Sequence, residues 1–505
     1  MIDYLYLLFI FIFAFIFRSI LRVFFKKDID FDTYFHLYFI EFIRNNGTKN
    51  LIEQKRFIKP FGLNYPWMMH FFISLFPKKF DMLFERFFNP LLDSVFTISL
   101  YIVTFYITES NNQALILVIL YLFTPAMFTT LSLGPRIKSF TPRLFGEIVG
   151  GMMFIFEYLY FINDNYIYLL LAILFSGLAY LSSKFSVQAI VFISIFLFLF
   201  TFDTEYLVVL IGGFILSMIL SRGKYIEVLK QQVEHLKWYF IRNIQGKMSV
   251  SNRNSLKILV EYLKNKRYKK IISTLLFDNT FIIILTRFPL VYLALYFIYE
   301  GYITNEKLEL VDYFIISSFI LFFISSLKWF LFIGEAERYI NYMVFFILLK
   351  VTLFFEENMF YLVTFIMYGF IFYILDFILL KKNKLNQSNI DDELILWLNN
   401  QEKELKIATI PYHLGGWKLT YETKHDWLYH LVWLNLKEKN FLDSNYTKKY
   451  PFLDIYKADK IIDEYNLDYI FYNKQALDKN YGEKYEIPTN LKQIQISENV
   501  FALYK

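Results

Sequence analysis

Apolar runs of about twenty residues recur along this chain, and they restrict its fold more than any other feature. A helical run of that length matches the thickness of the hydrocarbon core of a bilayer. We place about eleven such runs, at 4–23, 91–108, 113–131, 143–162, 166–181, 184–202, 205–221, 276–299, 311–333, 339–355 and 358–380. The chain is therefore predicted to be a polytopic α-helical membrane protein.

The composition supports a place in the membrane. Of the 505 residues, 56% are hydrophobic and 19% are charged, whereas soluble domains have about 45–50% apolar and about 25% charged residues. There is no cysteine, which excludes disulfides, thiolate metal sites and a cysteine nucleophile. The first run has no small-residue cleavage site, so it predicts a retained helix instead of a signal peptide.

A change in composition after the last apolar run predicts a domain boundary. Residues 1–382 hold all the apolar runs, and residues 383–505 are polar throughout. The second part alternates between helical and strand patterns, which predicts a small C-terminal α/β domain. The predicted helices and strands are helices 389–404 and 458–465 and strands 406–410, 467–472 and 500–504.

Two long polar segments interrupt the membrane part. Residues 26–90 form a long first loop, in which 66–77 is predicted to be a short interfacial or re-entrant helix that begins at Pro66. Residues 222–275 form the second segment, and its first forty-nine residues contain thirteen Lys or Arg against three Glu. Apolar residues recur there three and four positions apart, which is typical of basic helices on a membrane surface. A solvated connecting loop is the alternative.

Carboxylates cluster directly after the first apolar run, in Asp28-Ile-Asp30-Phe-Asp32-Thr-Tyr-Phe-His36. Packing explains such a cluster poorly, because Asp is rarely buried without a partner. A carboxylate at the membrane edge could act as a base for an acceptor while a lipid-linked substrate stays in the bilayer. The alternative is that Asp30 or Asp32 caps the helix that follows.

Two later clusters place cations at the ends of apolar runs. Arg136, Lys138 and Arg143 precede Glu147, and Glu335 precedes Arg338 by three residues. Such cations could bind the phosphate of a substrate, and positive charge near a departing phosphate favours its release. Side chains that reach for the membrane surface are the alternative.

The order of these motifs resembles a known family. An apolar first helix, then Asp30-Phe-Asp32-Thr-Tyr-Phe-His36, then Tyr65-Pro66-Trp67-Met-Met-His70 resembles the membrane glycosyltransferases of the C-type fold (GT-C), and distantly oligosaccharyltransferases. The resemblance implies transfer of a sugar or oligosaccharide from a polyprenyl-(di)phosphate carrier to a glycan, lipid or protein acceptor. It also implies inversion at the sugar and a role in cell-surface glycan assembly.

The resemblance assigns roles to the motif residues. Asp32 takes the role of catalytic or metal-binding carboxylate, with Asp30 at the preceding acidic position and Glu147 as the second acid. A divalent ion, Mg²⁺ or Mn²⁺, would bind Asp32 and Glu147. The substrate and phosphate would be bound by Arg338, Arg143, Arg136, Lys138, His36, His70 and Tyr65.

The sequence departs from oligosaccharyltransferases in one respect. It lacks their Trp-Trp-Asp-Tyr-Gly motif for reading a protein acceptor, so a glycan or lipid acceptor is expected. A flippase or transporter of lipid-linked glycans is an alternative, as is a polymerase of a surface polysaccharide. Transporters place charges within their spans, and here Asp93 and Glu157 come closest to that position. Nothing in the chain marks a nucleic-acid partner.

The sequence also predicts on which side of the membrane the candidate residues lie. With eleven spans, Asp32, Glu147, Arg338 and the C-terminal domain lie on one face. The resemblance places that face outside the cytoplasm, with the long first loop extracytoplasmic. The positive-inside tendency favours the opposite orientation, because Arg18, Arg22, Lys26, Lys27 and the 381–384 cations lie on the same face. We expect a multi-pass protein of the cell membrane with an extracytoplasmic catalytic face.

Overall fold

The computed structural model describes residues 4–23, 31–48, 56–58, 64–129, 140–244, 253–385, 390–411, 414, 416–428, 439–447, 452–481 and 485–505. Helices dominate residues up to 399, and a mixed sheet follows. The helices are α1 Tyr4–Val23, α2 Phe31–Asn46, α3 Met68–Ser74, α4 Asp81–Thr108, α5 Asn111–Phe123, α6 Pro142–Asn163, α7 Tyr166–Tyr180, α8 Lys184–Thr201, α9 Glu205–Leu220, α10 Tyr225–Ile244, α11 Leu256–Lys264, α12 Tyr268–Asp278, α13 Thr280–Arg287, α14 Leu290–Ile303, α15 Leu310–Ser326, α16 Glu337–Asn341, α17 Val344–Glu357, α18 Met359–Leu385, α19 Ile390–Asn399, α20 Gly416–Glu422, α21 Lys439–Asn445, α22 Ala458–Tyr465 and α23 Lys474–Tyr481. The strands are β1 Lys406–Ile410, β2 Asp426–Trp427, β3 Tyr469–Asn473, β4 Lys492–Gln495 and β5 Val500–Tyr504.

Several helices have the length and composition of membrane spans. Five pass on their own, namely Leu5–Val23, Lys78–Thr108, Pro142–Asn163, Lys184–Thr201 and Met359–Leu379. Among the described residues, the number is seven if each of two bent pairs, α9 with α10 and α13 with α14, is counted as one span, and α5, α7 and α15 are shorter apolar helices. Every predicted apolar run overlaps at least one helix, but 276–299 extends over α12, α13 and α14, and 339–355 over α16 and α17. The polytopic helical class is thus confirmed, while the number eleven stays a prediction.

Two buried ion pairs join α1 to α4. Arg18 Nε lies 2.6 Å from Asp93 Oδ2, and the Tyr121 hydroxyl donates to the other oxygen of that carboxylate at 2.5 Å. Arg22, one turn further along α1, pairs with Glu85 and donates to its backbone carbonyl. Asp93 therefore neutralises a cation of the neighbouring helix instead of lying unpaired in its span.

The C-terminal domain has the predicted alternation of helices and strands. Its five-stranded sheet has the order β2-β1-β3-β5-β4, in which β1 is parallel to β2 and β3, and β5 is antiparallel to β3 and β4. The predicted bounds of β1, β5 and α22 match the structure, and α19 and β3 are shifted by a few residues. The boundary at residue 382 stays a prediction.

The C-terminal domain packs on α2, the helix that begins at the carboxylate cluster. Trp417 of α20 is buried, with its ring centroid 5.1 Å from that of Phe35 and 5.6 Å from that of Tyr38. The first loop also joins the sheet edge, because the Ile58 N–H donates to the Trp427 carbonyl at 2.7 Å. Helix α2 is thus held from both sides.

The short helix predicted at 66–77 is smaller than expected. Helix α3 covers Met68–Ser74, and Pro66 lies two residues before its start. Met69 and His70 are fully buried, and the Met68 N–H donates to the Leu181 carbonyl at 3.1 Å. The helix is therefore shorter than predicted and its first turn packs between α2 and α6. Its assignment as an interfacial or re-entrant helix stays a prediction.

Candidate active site

The carboxylate of Asp32 lies at the start of α2 beside an arginine from the start of α6. Thr33 accepts a hydrogen bond from the Phe140 N–H at 3.2 Å, which brings the two helix starts together. Thr141 caps α6 by accepting from the Arg143 N–H. As a result, Arg143 Nη2 lies 3.7 Å from Asp32 Oδ2, and these side chains are 30% and 48% exposed. Asp32 is therefore both charge-paired and open to solvent.

Arg338 lies in α16, deeper than Asp32. Its Nη2 pairs with Glu335, three residues earlier, and its guanidinium lies 4.5 Å from the ring centroid of Phe185. The side chain is only 4% exposed, yet within the described residues Nε and Nη1 have no hydrogen-bond partner. An unsatisfied buried donor costs about 1–3 kcal/mol. Two such donors on one guanidinium are of the right chemistry to bind an anionic oxygen.

A glycine allows Phe185 to lie under Arg338. Gly334 has φ +135°, a conformation that L side chains rarely adopt, and a Cβ there would overlap the Phe185 ring. The ring fills that space and supports the guanidinium from below by a cation–π contact. Any side chain at position 334 would displace the ring and with it the arginine.

The pKa values of the two carboxyls nearest Arg338 are shifted in opposite directions. Burial raises the pKa of Glu335, but Arg338 and the other nearby cations outweigh burial, so its pKa lies below the ordinary value. Glu337 pairs with Arg253 at 3.3 Å, and burial raises its pKa despite that partner. For Arg338 itself, burial and the nearby Arg143 lower the pKa. A further anion beside the guanidinium would stabilise its charged form.

Glu147 lies one turn along α6 from Arg143 and is 6% exposed. Its Oε2 accepts from Asn341 Nδ2 of α16 at 3.5 Å. Helix α6 lies close to Tyr342, the residue directly after α16, because a Cβ on Gly150 would lie 2.8 Å from the Tyr342 ring. Asp32, Arg143, Glu147 and Arg338 are thus brought to one region of the protein, at the ends of α2, α6 and α16.

The predicted substrate ligands His36 and His70 lie behind Asp32. Their ring nitrogens, Nδ1 and Nε2 respectively, are 2.9 Å apart, and Tyr65 packs against both rings. The histidines are 3% and 0% exposed, so neither can touch a substrate in this structure. Burial lowers the pKa of His70 to about 3, and burial with His70 and Arg143 lowers that of His36 well below its usual value. This neutral pair supports the start of α2.

The described residues do not form a complete site for Mg²⁺ or Mn²⁺. Asp32 and Glu147 supply oxygen ligands of the right chemistry, but each already has a partner, in Arg143 and Asn341. Over the described part of the chain, no three His, Asp or Glu side chains are grouped to hold a metal ion. The residues therefore do not fit the ion on their own, and we derive no step through it.

Three predicted site residues lie outside the described residues, namely Asp30, Arg136 and Lys138. Sequence reasoning missed two others, Phe185 and Gly334. A lone glycine between an apolar run and a charged cluster is a signal that could have pointed to Gly334. Phe185 gives no such signal, because one aromatic residue in a chain with sixty-one Phe carries little information.

Comparison at the level of sequence identifies no relative: no family model and no curated protein matches the chain. Comparison of structures does find the same fold in other proteins. The fold in question is a bundle of apolar helices joined to a small mixed sheet.

Two solved structures of the oligosaccharyltransferase of the archaeon Archaeoglobus fulgidus share this fold. One is its complex with Zn and sulfate, and it matches with a TM-score of 0.58 at 11% identity, over 94% of this chain and 68% of the other. The second, called AglB, is in complex with an inhibitory peptide and a dolichol-phosphate, with the same TM-score and identity and a coverage of 94% and 70%. The resemblance to a distant, oligosaccharyltransferase-like fold is thus confirmed.

Proposed function

We propose that the protein is a membrane glycosyltransferase that takes a sugar or oligosaccharide from a polyprenyl-(di)phosphate carrier. The acceptor would be a glycan, a lipid or a protein. The fold it shares with a protein solved with dolichol-phosphate supports this donor class. The lipid tail would stay between the apolar helices while the phosphate reaches the ends of α6 and α16.

The observation that carries the proposal is the guanidinium of Arg338, in which Nη2 pairs with Glu335 while Nε and Nη1 have no hydrogen-bond partner among the described residues. Both Nε and Nη1 are buried, and Arg143 lies close enough to affect the pKa of the guanidinium. A phosphate offers planar pairs of oxygens that match a guanidinium fork. Hydrogen bonds to the phosphate oxygens would then stabilise the negative charge that develops as the sugar leaves.

Asp32 is the proposed base. Its carboxylate would accept the proton of the acceptor hydroxyl or amide as the acceptor atom bonds to the anomeric carbon. The bond from that carbon to the phosphate oxygen breaks, and its electron pair remains on the phosphate beside Arg338. A single displacement of this kind inverts the configuration. Arg143 lies 3.7 Å from Asp32 and close enough to Arg338 to lower the pKa of that guanidinium.

The test replaces Asp32 by Asn in cells that depend on this chain and measures lipid-linked glycans by mass spectrometry. A general base contributes about 10²–10⁴-fold to the rate, so the donor should accumulate as in a deletion strain. Asp164→Asn is the matched control, since Asp164 is exposed at the other end of α6, about 33 Å away by helix rise. Asn also suits the left-handed backbone of Asp164.

Normal glycan levels with Asp32→Asn, at an unchanged amount of protein in the membrane, would contradict the proposal. Accumulation with both variants would point to a general loss of folding instead. Identification of the accumulated lipid would name the sugar, and the missing product would name the acceptor.

We propose further that the face with Asp32 and the C-terminal domain lies outside the cytoplasm. The charge pattern that favours the opposite orientation includes Arg18 and Arg22. Both are closed in ion pairs with Asp93 and Glu85, so they do not act as free loop cations in the positive-inside tendency.

Orientation can be measured by labelling, because the chain has no cysteine. Tyr456→Cys and Asp164→Cys place single thiols at exposed positions of the C-terminal domain and of the opposite loop. An impermeant maleimide added to intact cells should label the first variant, and label the second only after lysis. The reverse pattern would overturn the orientation while leaving the proposed chemistry intact.

One observation favours the transporter alternative. Glu157 is 1% exposed in α6, one of the candidate spans, and neither carboxyl oxygen has a hydrogen-bond partner among the described residues. An ionisable residue inside a membrane span is often functional. Asp93, the other mid-span carboxylate, is instead paired with Arg18. The two functions therefore differ in the role that they give to Glu157.

A further inference from the structure

Helices α11 and α12 form a hairpin with an apolar surface that no described part of the chain covers. No residue of either helix is buried. On α11, Leu256, Val260 and Leu263 are 75%, 49% and 60% exposed, and their spacing of four and three places them on one helix face. On α12, Tyr268 and Ile272 are 60% and 58% exposed, one turn apart. Such contiguous apolar exposure marks a contact surface.

The same hairpin is strongly basic. Between positions 256 and 270 the sequence has six cations, Lys257, Lys264, Lys266, Arg267, Lys269 and Lys270, and one acid, Glu261. Helix α11 ends and α12 begins amid five of them. In the described part of the chain, none of the six forms an ion pair with a carboxylate. The surface therefore combines exposed apolar side chains with cations that are available to a partner.

The hairpin lies next to the membrane part. Helix α12 leads into α13, which bends by 93° into the apolar α14. Asn254 at the base of the hairpin donates from Nδ2 to Thr280 Oγ1 and to the Ser326 carbonyl, both at 2.9 Å. Arg253 forms the buried pair with Glu337. If α14 runs across the bilayer, α13 lies close to the membrane plane, at the level where headgroups are found.

We propose that the α11–α12 hairpin is a docking surface for anionic lipid headgroups. The apolar face would enter the boundary between headgroups and acyl chains, and the cations would contact lipid phosphates. Charge complementarity selects anionic over zwitterionic lipid. Through Arg253 and Glu337, the docked hairpin would be joined to the segment that carries Arg338. The proposal does not depend on the glycosyltransferase function, since lipid contact needs no turnover.

The test uses the full chain in nanodiscs, with one environment-sensitive dye on Leu263→Cys. Discs of phosphatidylcholine are compared with discs that contain about 30% phosphatidylglycerol, a level at which an anionic surface attracts basic segments. We expect quenching by nitroxide-labelled lipid to exceed quenching by a soluble nitroxide only in the anionic discs. The same dye on Tyr456→Cys, in the C-terminal domain, is the control and should not respond to the lipid.

Charge removal sharpens the result. Replacing Lys264, Arg267 and Lys269 by Gln should lower the ratio of lipid to aqueous quenching by about fivefold per charge, whereas Lys403→Gln in the C-terminal domain should not change it. A label at position 263 that stays open to the soluble quencher in both lipids would overturn the proposal. Equal lipid quenching in both discs would also overturn it, because apolar contact alone would then explain the docking.

Discussion

Two buried arginines in this protein have similar exposure and different surroundings. Arg18 in α1 is fully buried, and so is its partner Asp93. Arg338 is 4% exposed, but its partner Glu335 is 21% exposed. The first pair is closed off between helices of the membrane part. The second lies at the edge of the helices and is open on one side.

The two arginines also differ in how much of the guanidinium is used. Arg18 binds the carboxylate of Asp93 through Nε and the Leu122 carbonyl through Nη1, with three aromatic rings around it. Arg338 binds one carboxylate through Nη2 and one ring, and it leaves two donor nitrogens without partners in the described structure. Arg18 has one nitrogen, Nη2, without a partner in the described structure and belongs to a closed pair, which serves stability, whereas the two unpartnered nitrogens of Arg338 are suited to a ligand.

The largest effect is expected at the closed pair. Arg18→Gln leaves the Asp93 carboxylate buried without its cation, and breaking a buried ion pair costs about 3–5 kcal/mol. We expect a large fall in the thermal unfolding midpoint in detergent, and normal activity per folded molecule. Arg86→Gln in α4, a partly exposed arginine, is the control. Selective loss of activity at unchanged stability would contradict the structural role.

The second effect is expected at the open arginine and should have the opposite pattern. Arg338→Gln removes the donors to the leaving phosphate, and loss of one such donor lowers kcat by about 10²–10³-fold. Stability should change less than in Arg18→Gln, because Glu335 keeps the nearby Lys184 and Arg143. Arg338→Lys keeps the charge and loses the forked guanidinium, so its activity should lie between that of the unsubstituted protein and that of Arg338→Gln.

Measurement of both properties on both variants makes the comparison decisive. Transfer is followed by the appearance of product from purified lipid-linked donor, and stability by thermal unfolding in the same detergent. If Arg338→Gln were as unstable as Arg18→Gln, and equally active per folded molecule, Arg338 would be a structural residue and the phosphate site would be wrong.

Sequence patterns predicted the structural features that depend on residues close to one another in the chain. Apolar runs located the helices, and alternation located β1 and β5 to the residue. The ion pair of Glu335 with Arg338 also follows from spacing, since residues three apart on a helical turn can meet. The burial of His36 and His70 did not follow, because the polar character of histidine gave no sign of the pair that closes them off.

Contacts between distant segments could not be predicted in this way. Arg143 meets Asp32 only because Thr33 and Phe140 join the two helix starts. Phe185 lies under Arg338 only because Gly334 leaves room for its ring. A single sequence contains no signal for such pairings, so the partners of these residues could not be predicted, and the roles of the site residues stay predictions.

The smallest effect is expected at Glu157, a third buried group that differs from both arginines because it has no partner in the described structure. Glu157→Gln keeps the size of the side chain and removes a possible charge, whose burial without a counterion would be costly. If the protein is a transferase, product formation should stay normal and stability should change by less than about 1 kcal/mol, in the range of substitutions that disturb no specific interaction. If it moves lipid-linked glycans instead, this variant should block their passage across proteoliposomes, and Asp32→Asn should not. Retained transfer in Glu157→Gln together with lost transfer in Asp32→Asn would therefore separate the two functions by the one carboxyl that each requires.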